Sequence, residues 1–178
     1  MTDELNGKGV LITGASTGIG AAAAKAFAAR GAHVAVHYNS SADEAAAVVE
    51  AITSAGGTAV AIQADLGDPH RGPALVEKAV SALGRLDIVI HTAGSLCGRP
   101  PFMEMDDDLY DRVMNINVRS MITVSQAAVP HIEAQGGGTI INLGSIAACD
   151  GGGPGSGHYA AAKAYVHNMT RHMARDLA

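Results

Sequence analysis

The chain has 178 residues, of which 48% are hydrophobic, 16% charged and only 3% aromatic, and its formal net charge is −5. This composition excludes a disordered chain and supports one domain over 1–178, whose core is built from Ala, Val, Ile, Leu and Met because Trp is absent. The acidic balance, with no basic run, argues against nucleic acid and anionic membranes as partners.

In chain order, short β-branched runs alternate with longer Ala-rich stretches. Strands are expected at 8–13, 33–38, 58–65, 86–94 and 138–145. Helices are expected at 18–31, 42–55, 69–83, 104–134 and from 157 to the end, the long one broken or bent near Asn115 to Asn117. The acidic run Asp106-Asp107-Asp108 reads as a solvated helix start. The strands are apolar almost throughout, which is the pattern of parallel strands covered on both faces. Strand–helix repetition with right-handed crossovers then gives an α/β fold, a doubly wound parallel sheet. No apolar stretch reaches the ~18 residues of a membrane span. The polar start "MTDELNGKG" is not a signal peptide. Two cysteines, Cys97 and Cys149, fit a reducing cytoplasm better than a disulfide scaffold.

Two places carry chemistry. "LITGASTGIG" sets Gly14, Gly18 and Gly20 between the first strand and the first helix. There one glycine permits a tight turn, one lets backbone approach a pyrophosphate, and one lets helix and strand pack without a Cβ. The helix N-terminus then faces the phosphates. No Gly-Lys-Ser/Thr follows, so the turn is not a P-loop. Farther on, Tyr159 and Lys163 share one face of a helix start, and Ser145 ends the fifth strand. A free phenol titrates near 10, and an adjacent ammonium favours its charged form. A hydroxyl at a strand end is placed to bond a carbonyl oxygen as its charge changes. Between them "ACDGGGPGSGH" has the composition of a flexible linker, and its position makes it an adaptable active-site loop, expected to order when ligand binds.

These residues together, Thr13-Gly14-x-x-x-Gly18-x-Gly20, Ala93-Gly94, Asn117, Ser145 and Tyr159-x-x-x-Lys163, resemble the short-chain dehydrogenase/reductase family in its compact form. The resemblance implies a Rossmann sheet of strand order 3-2-1-4-5 and hydride transfer between a nicotinamide cofactor and an alcohol/carbonyl pair. It implies Tyr159 as proton donor or acceptor, Lys163 as the group that tunes it and binds the nicotinamide ribose, and Ser145 as the holder of the substrate oxygen. Asn117 would anchor a water leading to Lys163. The implied cofactor contacts are Gly14, Ser16, Thr17, Gly18, Ile19, Gly20, Tyr38, Asn39, Ser40, Asp65, Leu66, Ala93 and Gly94, with Tyr159 and Lys163. A homo-oligomer is implied as well.

The chain departs from the family pattern in three places. His91-Thr92-Ala93-Gly94 stands where the family usually has Asn-Asn-Ala-Gly, and His91 is expected to bond neighbouring backbone instead. Ala162 replaces a usual Ser. Related chains continue through two more strands and a substrate lid, so a C-terminally truncated chain is expected. Tyr38 stands where NAD-type members carry an acidic residue, and no carboxylate in "NSS" would repel a 2′-phosphate, so NADP is favoured with NAD as the alternative. Asp65 matches a position that contacts adenine, or simply caps a strand end. The eight histidines are scattered, and no metal site is expected. The competing functional reading is a cofactor-binding module, or inactive fragment, without turnover; nucleotide-sugar epimerisation on the same fold fits the glycine spacing less well. The substrate is read only as a small alcohol or ketone.

Overall fold

Five strands, β1 (Gly9–Thr13), β2 (His33–Tyr38), β3 (Thr58–Gln63), β4 (Ile88–His91) and β5 (Thr139–Asn142), form one parallel sheet in the order β3-β2-β1-β4-β5 in the computed structural model. It describes residues 5–178; the opening residues 1–4 of the polar start lie outside the described residues. Registers Thr13↔His91 and His91↔Asn142 bring the carboxyl ends of β1, β4 and β5 to one edge. The chain runs outward from β1 in one direction, returns, and continues through β4 in the other. The crevice between β1 and β4 is therefore the switch point at which open α/β sheets take ligands.

Helices α1 (Gly18–Ala28) and α2 (Ala42–Ser54) cover one face. Helices α3 (Arg71–Leu83), α4 (Asp107–Met114) and α5 (Ser120–Ala134) follow, and α3 and α5 cover the other face. Alternation along β1 divides the core: Val10 and Ile12 pack with Ala24, Ala28 and Val48, whereas Leu11 packs with Leu75, Val76 and Val124. The strands β1 and β4 are buried along their whole length. The edge strands β3 and β5 are not, so coverage on both faces belongs to the central strands alone.

The boundaries differ from the sequence reading in instructive ways. Ser145 does not end β5. Leu143 N–H donates to the His91 carbonyl at 3.0 Å as the last rung, β4 stops there, and β5 has no further partner among the described residues. The long helix is interrupted near Asn115 as expected, by a change of hydrogen-bond type rather than a gap. A π-helical turn, Asn115–Arg119, joins α4 to α5. The glycine-rich loop is only partly linker-like: α6 (Ala147–Asp150) opens it, and buried Ser156 donates to the Gly153 carbonyl at 2.5 Å before α7 (Gly157–Asp176) begins.

Candidate active site

The turn after β1 is shaped by what its glycines lack. Gly14 has φ +65°, and a Cβ there would lie 2.8 Å from the Ala93 Cα. A Cβ on Gly20 would collide with the Gly14 carbonyl and lie 2.6 Å from Thr92 Oγ1. Gly18 also has positive φ, +56°, but meets nothing within 4 Å. Gly14 and Gly20 thus serve close contact with the end of β4, and Gly18 is the open position where a ligand can approach. No side chain caps α1 at Thr17, so its first amides remain available to an anion.

These residues line a recess of about 490 Å³, within the range of small-molecule sites. Gly14, Ser16, Thr17, Gly18, Ile19 and Gly20 form one side. Tyr38, Asn39 and Ser40 after β2, Leu66 after β3, and Ala93 and Gly94 after β4 complete it. Asp65 does not line it: its carboxylate accepts from Gly67 N–H at 2.9 Å, and it lines a separate recess beside Gln63 and Arg71. The lining residues His37, Ile116 and Leu143 were not singled out from the sequence, and Thr92 was noted there only as a departure from the family pattern. Thr92 Oγ1 donates to the Thr13 carbonyl, Ala93 N–H to Thr13 Oγ1 at 3.2 Å, and Gly14 N–H to His37 Nδ1 at 2.9 Å. A polar side chain inside an apolar strand was the available signal for His37.

Ser145 and Tyr159 line one cleft, with Leu96, Arg99 and Ile146 at its sides. Lys163 is 4% exposed, and its Nζ lies 5.8 Å from the Tyr159 ring centre. Nζ donates to the Leu143 carbonyl at 2.9 Å, and burial pulls the ammonium below its ordinary pKa. Asn117, in the π-helical turn, donates through Nδ2 to the Ser95 and Val113 carbonyls at 2.7 and 2.9 Å, leaving its buried Oδ1 without a protein partner. A Cβ on Gly94 would lie 2.7 Å from that Oδ1 and 3.4 Å from Lys163 Nζ. Gly94 is therefore the point where the recess, Asn117 and Lys163 meet. Tyr159 and Lys163 line no part of the recess wall itself.

His91 is buried and bonds Ser125 Oγ at 3.0 Å rather than the neighbouring backbone, because α5 lies directly against the end of β4. Burial, helped by the Lys163 charge, brings its pKa down to about 3. His158 stacks edge-on against Tyr110, with ring centres 5.6 Å apart. Among the described residues no three His, Cys, Asp or Glu side chains are placed to share a metal ion, and no helix is long and apolar enough to cross a membrane.

A parallel sheet with a glycine turn at its switch point, a Ser just beyond the adjoining strand and a Tyr and Lys on the helix beside it defines a dinucleotide-dependent oxidoreductase class. The short chain dehydrogenase family model matches residues 8–178, and the chain belongs to that family. An uncharacterized oxidoreductase of Methylorubrum extorquens is 41% identical over 175 residues, 98% of this chain and 69% of that protein. A short chain dehydrogenase from Burkholderia cenocepacia, solved with NADP, is 42% identical with TM-score 0.91, over 97% of this chain and 69% of that one. An NADH-dependent reductase, A1-R′, solved with NAD, is 36% identical with TM-score 0.93, over 99% of this chain and 75% of that one. The chain spans 64–69% of the length of the curated relatives it matches.

Proposed function

We propose that this chain is the dinucleotide and proton-transfer part of an alcohol dehydrogenase or carbonyl reductase that prefers NADP(H). The observation that carries the reading is the junction at Gly94, where the glycine recess meets the Lys163 ammonium, which in turn lies beside the Tyr159 ring in the cleft shared with Ser145. The residues present fit a dinucleotide: an open glycine at Gly18, an uncapped helix start, and a wall without a carboxylate. When bound, that group supplies or accepts the hydride. Ser145 Oγ bonds the substrate oxygen, and Tyr159 Oη gives its proton to that oxygen in reduction or takes it in oxidation. Lys163, held by the Leu143 carbonyl, stabilises negative charge as it develops on Oη. The unpaired Oδ1 of Asn117 faces the same point and is suited to hold a water that passes a proton toward Lys163.

The preference for NADP over NAD follows from the recess wall, where Tyr38, Asn39 and Ser40 carry no charge that would repel a 2′-phosphate. The partner is a small alcohol or ketone. A cytoplasmic setting accords with two free cysteines. A homo-oligomer accords with the exposed rings of Tyr110 and Tyr165 on the outer helices, and light scattering measures it. The first experiment is a fluorescence titration with NADPH and then NADH, followed by a ketone panel. Tighter NADPH binding with turnover supports the reading; tighter NADH reverses the cofactor preference; binding without turnover leaves a binding module.

A further inference from the structure

His37 takes no part in the reading above, yet it is 2% exposed and both ring nitrogens are engaged. Nδ1 lies 2.9 Å from Gly14 N, and Nε2 lies 3.0 Å from the Ala64 carbonyl oxygen. A backbone N–H can only donate, so Nδ1 must offer its lone pair. A carbonyl can only accept, so Nε2 must carry the proton. The two partners fix the neutral Nε2–H tautomer without appeal to anything else. The ring thus ties the tip of β1 to the segment just past β3, reaching across β2. The His37 carbonyl adds a second tie, accepting from Ala15 N–H at 2.8 Å. Gly14, held at positive φ, is the residue from which the turn departs.

We propose that His37 is a positioning residue for the dinucleotide turn: the neutral ring clamps Gly14 to Ala64 and so aims the amides of the turn and of the start of α1 at a pyrophosphate. The proposal rests on the cofactor reading given above. A second proton would have to enter on Nδ1, facing Gly14 N–H, and would break that bond. Burial already holds the ring below its ordinary pKa, while the Ala64 bond and the nearby Asp65 carboxylate pull the other way. Asp65 is the charged group whose field reaches the ring, and Tyr38 is its titratable chain neighbour. The clamp therefore opens in acid, and dinucleotide affinity weakens with it.

Three chains test this: wild type, His37→Asn and His37→Leu, each titrated with NADPH from about pH 5 to about pH 8. Asparagine Oδ1 reaches Gly14 in place of Nδ1 but does not titrate. It should bind within about threefold of wild type at neutral pH and lack the wild-type weakening in acid. Comparing the profiles removes the contribution of the ligand's own phosphate. Leucine leaves Gly14 N–H unpaired and should bind about tenfold more weakly or worse at every pH. In the free protein, 15N spectra of the imidazole should show Nε2–H, a readout that needs neither cofactor nor turnover. An Nδ1–H tautomer, or a leucine variant with wild-type affinity and pH profile, overturns the proposal alone. If the leucine variant does not fold, acid weakening of the asparagine variant equal to wild type overturns it. A folded wild type that binds neither NADPH nor NADH overturns the cofactor reading, and the clamp's function with it.

Discussion

Lys163 and His91 are both buried at the carboxyl edge of the sheet, linked through one backbone unit: Leu143 donates to the His91 carbonyl and accepts from Lys163 Nζ. In the proposed reading Lys163 tunes Tyr159, whose ring lies beside its Nζ. Tyr159→Phe keeps the ring and removes only the hydroxyl, so turnover should fall roughly 10²–10⁴-fold while dinucleotide affinity stays within about threefold. A phenylalanine variant with near-wild-type kcat would remove Tyr159 from the proton step. His91 stays neutral, since its burial and the Lys163 charge both oppose a second positive charge. Its folded pKa of about 3 lies below the ordinary 6.5 that the unfolded chain recovers. Its part in stability is therefore whole above pH 6.5, is lost as pH falls toward 3, and changes by up to about 1.4 kcal/mol per pH unit between them. His91→Asn should flatten that slope, read from urea midpoints at neutral and mildly acid pH; an unchanged slope would show that other groups carry it. The departure at His91 was legible in the sequence, but its partner Ser125 was not, because that bond depends on which face α5 turns to β4.

The elements show where patterns inform and where they do not. β2 was legible to the residue, and the centres of β1 and β4 were clear, because an apolar run buried on both faces has no competing reading. Ends failed where a ladder partner ran out, as at β5; the irregularity near Asn115 was legible, but not its kind, because hydrogen bonding changes type in the π-helical turn at Asn115–Arg119 without a change of composition. The acidic run was correctly a helix start: Asp106 caps α4 by accepting from Leu109 N–H at 2.7 Å. Asp106→Ala should cost about 1 kcal/mol in chemical denaturation, and a variant as stable as wild type would mean that Asp107 or Asp108 takes over the cap. At the amino edge of the sheet, Asp87 joins β1 to β4. It accepts from Lys8 at 3.0 Å, from Arg85 at 2.6 and 2.7 Å, and from Gly9 N–H at 2.9 Å. Burial pushes its carboxyl up, but the bonds from Arg85, Lys8 and Gly9 outweigh that and bring it from 3.8 to about 2. The carboxylate's contribution is whole above pH 3.8 and lost as pH falls toward 2, so Asp87→Asn should lower stability at neutral pH by about 2 kcal/mol. Unfolding curves that match wild type at pH 7 would reduce the network to a surface ion pair.

At the scale of the whole molecule, the recess has no single owner. Its wall takes the turn after β1, the ends of β2 and β4, Leu66 beyond β3 and Leu143 beyond β5. The sequence made the glycines legible because their spacing between a strand and a helix is a local pattern, even though Gly14 and Gly20 meet the distant end of β4. It left His37 and Leu143 unread because their roles arise only when separate strand ends meet at one edge. A ligand bound by so many separate segments recognises the folded sheet and has no counterpart site in the unfolded chain. Its stabilisation is then set by mass action: at a hundredfold excess over Kd it is about 2.7 kcal/mol, or roughly 5–10 °C in Tm for a chain of this size. NADPH should raise Tm more than NADH at equal concentration, because the wall at Tyr38, Asn39 and Ser40 has no carboxylate to oppose a 2′-phosphate. Gly20→Ala should abolish both shifts, since the new Cβ would meet the Gly14 carbonyl and Thr92 and push α1 off the turn. Equal shifts with the two dinucleotides would refute the NADP preference while leaving the recess as their site. Shifts that survive in Gly20→Ala would place the dinucleotide elsewhere on the molecule, because no helix displaced from β4 can keep the amide geometry that the turn provides.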